Sequence, residues 1–202
     1  MSIIKLNNRA VKDATAVGSI TGLGNVVFIS RSTASSSSSL SITSGITSTY
    51  KEYIFFINNI HAGTQYAKFS FNLSSDSGSN YNVTKTTTAF RGYHDEGDTQ
   101  TDLSYRTGED LAQSTGYQPF SDDMGVANND EGISGYIHLF EPSSTTFVKH
   151  FMGVSQFAQY QPASRFFYVA GYGNTTSAID AIDFKFTSGN IDSGTIDMYG
   201  VL

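Results

Sequence analysis

Alternation with a period of two runs through most of this chain. "SLSIT" (39–43) places Leu40 and Ile42 on one face and serines on the other, the mark of a half-buried strand. "YAKFSFNLS" (66–74) alternates in the same way, with Phe69, Phe71 and Leu73 inward. Further strand signals are "YKEYIFFINNI" (50–60), "VTKTTTAFRGY" (83–93), "ISGYIHLFE" (133–141), "TTFVKHFMGVSQF" (145–157), "RFFYVAGYG" (165–173), "AIDAIDFKF" (178–186) and "GTIDMYGV" (194–201), with the short apolar "VVFIS" (26–30) ahead of them all. β-Branched and aromatic residues dominate these stretches, and both suit a pleated surface. Ser44-Gly45, "DSGSNYN" (76–82) and Pro142 punctuate them, and "TSGNIDSG" (187–194) reads as a hairpin joining the last two strands. No helical period of useful length competes.

About eight or nine strands in one β-rich body predict an all-β fold: an antiparallel β-sandwich, jelly-roll-like. An early strand then lies beside the last one. Residues 38–43 and 194–200 are the expected partners, since both alternate Ile-containing faces. The run Ser35–Ser39 reads as the lead-in to a sandwich strand. A flexible linker would continue past Ser39, where the alternation begins at once.

Two segments break the pattern. Residues 1–25 carry no clean period, yet Ile3, Ile4, Leu6, Val11 and Val17 are costly to leave in water. They predict an extended N-terminal arm that docks on another subunit or molecule, against the plainer alternative of a frayed terminus. The sandwich domain takes up 26–202, and within it 94–132 is an irregular acidic insertion. A structureless loop of that length is unusual in a compact domain, so part of it is expected to be ordered.

Charge sharpens this division. The net charge is −6, but residues 1–31 carry Lys5, Arg9, Lys12 and Arg31 against Asp13, a net +3, while 92–132 hold ten acids against Arg106. An acidic body without a basic groove argues against nucleic-acid binding. No apolar run is long enough for a membrane span, and the first residues lack the apolar core of a signal peptide. With no cysteine, neither a disulfide framework nor a thiolate metal site is available.

Candidate chemistry is sparse. His61, His94, His138 and His150 are scattered without metal-ligand spacing, although His138 and His150 fall on expected neighbouring strands. Asp122, Asp123, Asp130 and Glu131 are oxygen ligands close to glycine and form a weak Ca2+ candidate, outside the twelve-residue calcium-loop register. A solvated acidic loop is the alternative. No carboxylate pair stands out for glycoside hydrolysis, and there is no nucleophile elbow or phosphate loop. The expectation is a protein that is not an enzyme.

"STASSSSSLSITSGITSTYKEYIFFINNIH", "EPSSTTFVKHFMG", "GYGNTTSAIDAIDFKFTSGNIDSGTIDMYG" and the opening "IIKLNNRAVKDATAVGSI" resemble a family of tailed-phage structural proteins found in cyanophages and other marine phages, virion or tail-fibre-like. The resemblance covers nearly the whole chain and is weakest across 94–132. It implies a virion component assembled in the host cytoplasm, with other virion proteins as partners, and carries over no catalytic residue. By analogy with fibre proteins the expected oligomer is a homotrimer. The arm would anchor the protein, and the sandwich loops would face host-surface glycans. Tyr93, Asp95, Asp98, Tyr105, Tyr117 and Phe120 are the expected exposed, receptor-facing segment. The alternatives are a capsid decoration protein and, less favoured, a polysaccharide-degrading enzyme.

Overall fold

The computed structural model describes residues 25–126 and 131–202. The expected arm residues Ile3, Ile4, Leu6, Val11 and Val17, and Asp130, lie outside them. The described residues form strands and connecting turns, with no helix. In chain order the strands are β1 (Val26–Thr33), β2 (Leu40–Ile42), β3 (Glu52–Ala62), β4 (Phe69–Ser74), β5 (Lys85–Asp95), β6 (Thr101–Tyr105), β7 (Gln118–Pro119), β8 (Gly132–Phe140), β9 (Lys149–Ala158), β10 (Ala163–Gly173), β11 (Ala181–Phe186) and β12 (Ile191–Val201). All the pairings are antiparallel.

Two sheets result, a large one ordered β1-β12-β3-β8-β9-β10-β5-β6 and a small one ordered β2-β11-β4-β7. The chain passes from one sheet to the other between β1 and β2, β2 and β3, β3 and β4, β4 and β5, β6 and β7, β7 and β8, β10 and β11, and β11 and β12. By contrast, β5–β6 and β8–β9–β10 are pairs and meanders within the large sheet. The expected antiparallel β-sandwich is therefore present.

The core forms where alternation aims apolar side chains between the sheets. Phe69, Phe71, Ile182, Phe184 and Phe186 of the small sheet meet Tyr53, Phe55, Ile57, Ile196 and Met198 of the large one, all buried. Phe184 stacks on Phe69 at 6.0 Å and lies 6.0 Å from Phe55, and Phe71 meets Phe151 edge-on at 5.4 Å. Each fully buried aromatic or aliphatic side chain contributes about 1.5–3 kcal/mol, so these rings hold the layers together.

The serine run is an ordered corner that carries the chain from β1 to β2. Ala34 N donates to Gly194 O at 2.9 Å and Ser36 N to Asp192 O at 3.0 Å, while Ser37 and Ile191 exchange backbone bonds at 2.8 and 2.7 Å. Ser36 takes a positive φ of 48° in the turn.

Two expectations are corrected. Residues 38–43 do not lie beside the last strand: β2 pairs with β11, while β12 lies between β1 and β3. Both candidate partners alternate, so alternation alone could not choose between them. Ser41 Oγ fastens β2 to β11 by donating to Asp183 Oδ1 at 2.5 Å. Second, residues 187–194 do not close a hairpin, since β11 and β12 belong to different sheets. The acidic stretch is partly ordered. It completes the β5–β6 pair, then returns across the inner side of the large sheet as β7, which pairs with β4.

Candidate functional site

The returning segment and the far end of the large sheet together build a charged cluster. Tyr93 of β5 sits opposite Arg165 of β10, and the period of two puts Arg91 and Phe167 on the same inner side. Over them lies Asp122, only 3% exposed. Its carboxylate accepts from Arg91 Nη1 at 2.8 Å, Arg165 Nη1 at 2.5 Å and Arg106 Nη2 at 3.2 Å. Arg91 Nη2 also reaches Asp102 at 3.2 Å, Arg106 Nε reaches Glu109 at 3.1 Å, and Lys68 Nζ donates to Glu109 at 2.7 Å.

Burial pushes the Asp122 carboxyl up, but the Arg91 hydrogen bond and the charges of Arg106, Arg165 and Arg91 outweigh it and hold the group below the ordinary carboxylate range. Burial acts on Arg165 in the opposite sense. Desolvation lowers its pKa, and Arg91 adds to this, against the pull of Asp122. The Tyr93 ring centre lies 5.0 Å from the Arg165 guanidinium carbon and 5.6 Å from that of Arg91, within range for cation–π attraction. Beside these groups opens a groove of about 670 Å³, edged by the Thr99–Asp102 turn and Gln161.

A second feature occupies the outer face of the large sheet. Phe56, Tyr136, Val154, Tyr168, Phe90 and Tyr105 are directly opposite one another on β3, β8, β9, β10, β5 and β6. They form a continuous apolar belt across six strands. Towards β1 it is extended by Tyr199, 5.5 Å from Phe56, and Phe28, 5.4 Å from Tyr199. Phe28, Phe56, Tyr105, Tyr136, Met152 and Phe166 are all exposed. A shallow apolar depression of about 480 Å³ lies on the same side, between Phe140, His150, Met152 and Tyr172.

The residues expected to form one exposed tip are scattered. Tyr93 lines the groove. Asp95 shapes the β5–β6 turn, accepting from Thr99 Oγ1 at 2.5 Å and from the Gln100 and Thr99 amides at 2.7 and 2.9 Å. The Thr99 hydroxyl above all, with these amides, lowers its pKa. Asp98 is exposed with a positive φ of 52°. Tyr105 is exposed on the outer belt, its hydroxyl bonded to Asp110 at 2.7 Å. Two residues are elsewhere altogether. Phe120 is fully buried and meets Phe71 edge-on at 6.2 Å. Tyr117 lies against the small sheet, donating to Asp183 at 2.9 Å beneath the Lys185 ammonium.

Asp122 gives its oxygens to guanidinium groups, and Asp123 is half-buried next to it. The buried Glu131 carboxylate occupies the space a side chain at Gly125 would need. Among the described residues no group of His, Asp and Glu is arranged to hold a metal ion. His138 contacts Glu52, and His150 lies 6.2 Å from the Tyr172 ring.

Arg91, Arg106, Arg165 and Lys68 escaped the sequence reading. A single charge inside the β-branched stretch "TKTTTAFRGY" and another heading "RFFYVAGYG" were the available signals. The outer belt had a signal too. Phe55-Phe56 and Phe166-Phe167 are adjacent apolar pairs, and in a strand one of each pair must face outward. Comparison with protein-family models, with curated proteins and with solved structures finds no match for the chain.

Proposed function

We propose that this protein is a structural component of a phage virion, of the tail-fibre or appendage type, which assembles through its N-terminal arm and large-sheet face and contacts host-surface glycans. The observation that carries the reading is the aromatic belt from Phe56 to Tyr105, continued to Phe28. Monomeric soluble proteins rarely expose contiguous apolar patches of this kind, and such patches mark interaction surfaces. Tyrosine and phenylalanine are also the residues that interface cores favour.

The strand order supports the same reading. Setting aside the pair β5–β6 and the pair β9–β10, the sheets are β1-β12-β3-β8 and β2-β11-β4-β7. We read this eight-strand frame as a jelly roll with two insertions, an architecture that recurs in viral capsid and lectin domains. A cysteine-free chain also suits a particle that assembles in a reducing cytoplasm and then works outside it.

The test is the copy number and position of the protein on intact particles, by gel densitometry against the major capsid protein and antibody labelling in electron microscopy. A few dozen copies or fewer at the tail are expected. Hundreds on the head would make it a decoration protein, and absence from the particle would overturn the proposal.

A further inference from the structure

The groove beside Tyr93 has three properties that together define a ligand. First, it is cationic in an acidic protein. Lys68, Arg91, Arg106 and Arg165 share Asp102, Glu109 and Asp122 through one connected set of ion pairs. This leaves a single positive charge in excess. Second, its donors are under-used. Arg165 is only 8% exposed, yet its Nε has no hydrogen-bond partner, and neither does Nε of Arg91. Buried guanidinium donors without acceptors are costly, and both side chains line the groove. Third, the remaining lining is one aromatic ring with the hydroxyl and amide side chains of Thr99, Gln100, Thr101 and Gln161.

We infer that this groove binds the carboxylate of an acidic sugar, a uronic-acid unit of a surface polysaccharide. One excess positive charge matches a monoanion, and the Asp102 carboxylate at the edge opposes a dianion such as phosphate. The guanidinium groups of Arg165 and Arg91 supply charge-assisted donors to the carboxylate. Tyr93, which lines the groove, offers its ring to the sugar's apolar face. The threonine hydroxyls and glutamine amides both donate and accept, as a ring of sugar hydroxyls requires. The inference rests on the glycan-binding part of the proposed function and narrows it to acidic glycans.

The experiment is isothermal titration of the full-length protein with galacturonate, glucuronate and alginate oligosaccharides, with their methyl esters, with neutral oligosaccharides and with inorganic phosphate. The ester keeps every hydroxyl and removes only the charge. A free acid of the panel should bind at least about tenfold tighter than its ester, the worth of one charge-assisted hydrogen bond. The doubly substituted T101A/Q161A protein, altered only on the exposed edge, should lose several-fold in affinity for that acid while its melting temperature stays unchanged. Arg165→Gln should abolish binding, and circular dichroism decides whether that variant is folded.

Equal binding of acid and ester, tighter binding of phosphate than of any saccharide, or wild-type affinity in T101A/Q161A would each overturn the inference. If neutral oligosaccharides bind and acidic ones do not, glycan binding stands and this site assignment falls. Should no saccharide bind, both fall.

Discussion

Lys85 opens β5 with its side chain fully buried. The ammonium donates to the Asn72 side-chain carbonyl and to Val83 O, and no carboxylate pairs with it among the described residues. Burial pushes its pKa down from 10.5 to about 8. At 1.36 kcal/mol per pKa unit this is a penalty on the order of 3 kcal/mol for keeping the group charged in the folded state. The penalty is present in full below pH 8, where folded and unfolded chains are both protonated. Between pH 8 and 10.5 the folded chain gives up its proton first. The unfolded state then binds more protons, so stability rises with pH.

Lys85→Met removes the titration. Urea unfolding of wild type and variant from pH 7 to 9.5 measures it as a difference curve. The burial-lowered Lys149 and the burial-raised Tyr81 and Tyr117 contribute to both proteins and largely cancel. Methionine also leaves the Val83 carbonyl without its lysine, which costs about 1–3 kcal/mol. That cost is independent of pH and shifts the curve without changing its slope. Wild-type stability relative to the variant should climb by roughly 2 kcal/mol across this range. A flat difference would refute the claim that a charged, unpaired lysine is buried there.

Two further variants test the returning acidic segment. Phe120→Ala, which opens a cavity against Phe71, should cost about 3–5 kcal/mol in urea unfolding, whereas Leu103→Ser on the exposed hairpin should stay within about 0.5 kcal/mol; similar values for the two would return the segment to the surface. Asp122→Ala leaves Arg165 without a carboxylate and takes one of two from Arg91 and Arg106, and should cost roughly 3–5 kcal/mol. Because those groups already occupy the Asp122 oxygens, EDTA should leave the wild-type melting temperature unchanged, and a calcium-dependent rise would contradict the assignment of Asp122 to the arginines.

Outside β6 and β7, strand identity and inward face were legible in the sequence because a period of two is a local property of the backbone. Leu40, Ile42, Phe69, Phe71 and Leu73 all point where alternation predicts. The same rule, applied to Phe55-Phe56 and Phe166-Phe167, contained the outer belt. Partner choice was not legible. β2 could have paired with either of two alternating strands, and only the passage of the chain between sheets decided in favour of β11.

The acidic segment misled for a related reason. Composition reports average polarity, while Phe120 and Asp122 are buried by what folds over them. Asp122 meets Arg91 across 31 residues and Arg165 across 43. No spacing rule links positions that far apart. The sequence by itself determined most of the strands and which of their faces are apolar, since neighbouring side chains on a pleated backbone must alternate. Tertiary structure alone decided which strands meet and which charges gather, because these depend on where the chain returns after each crossing.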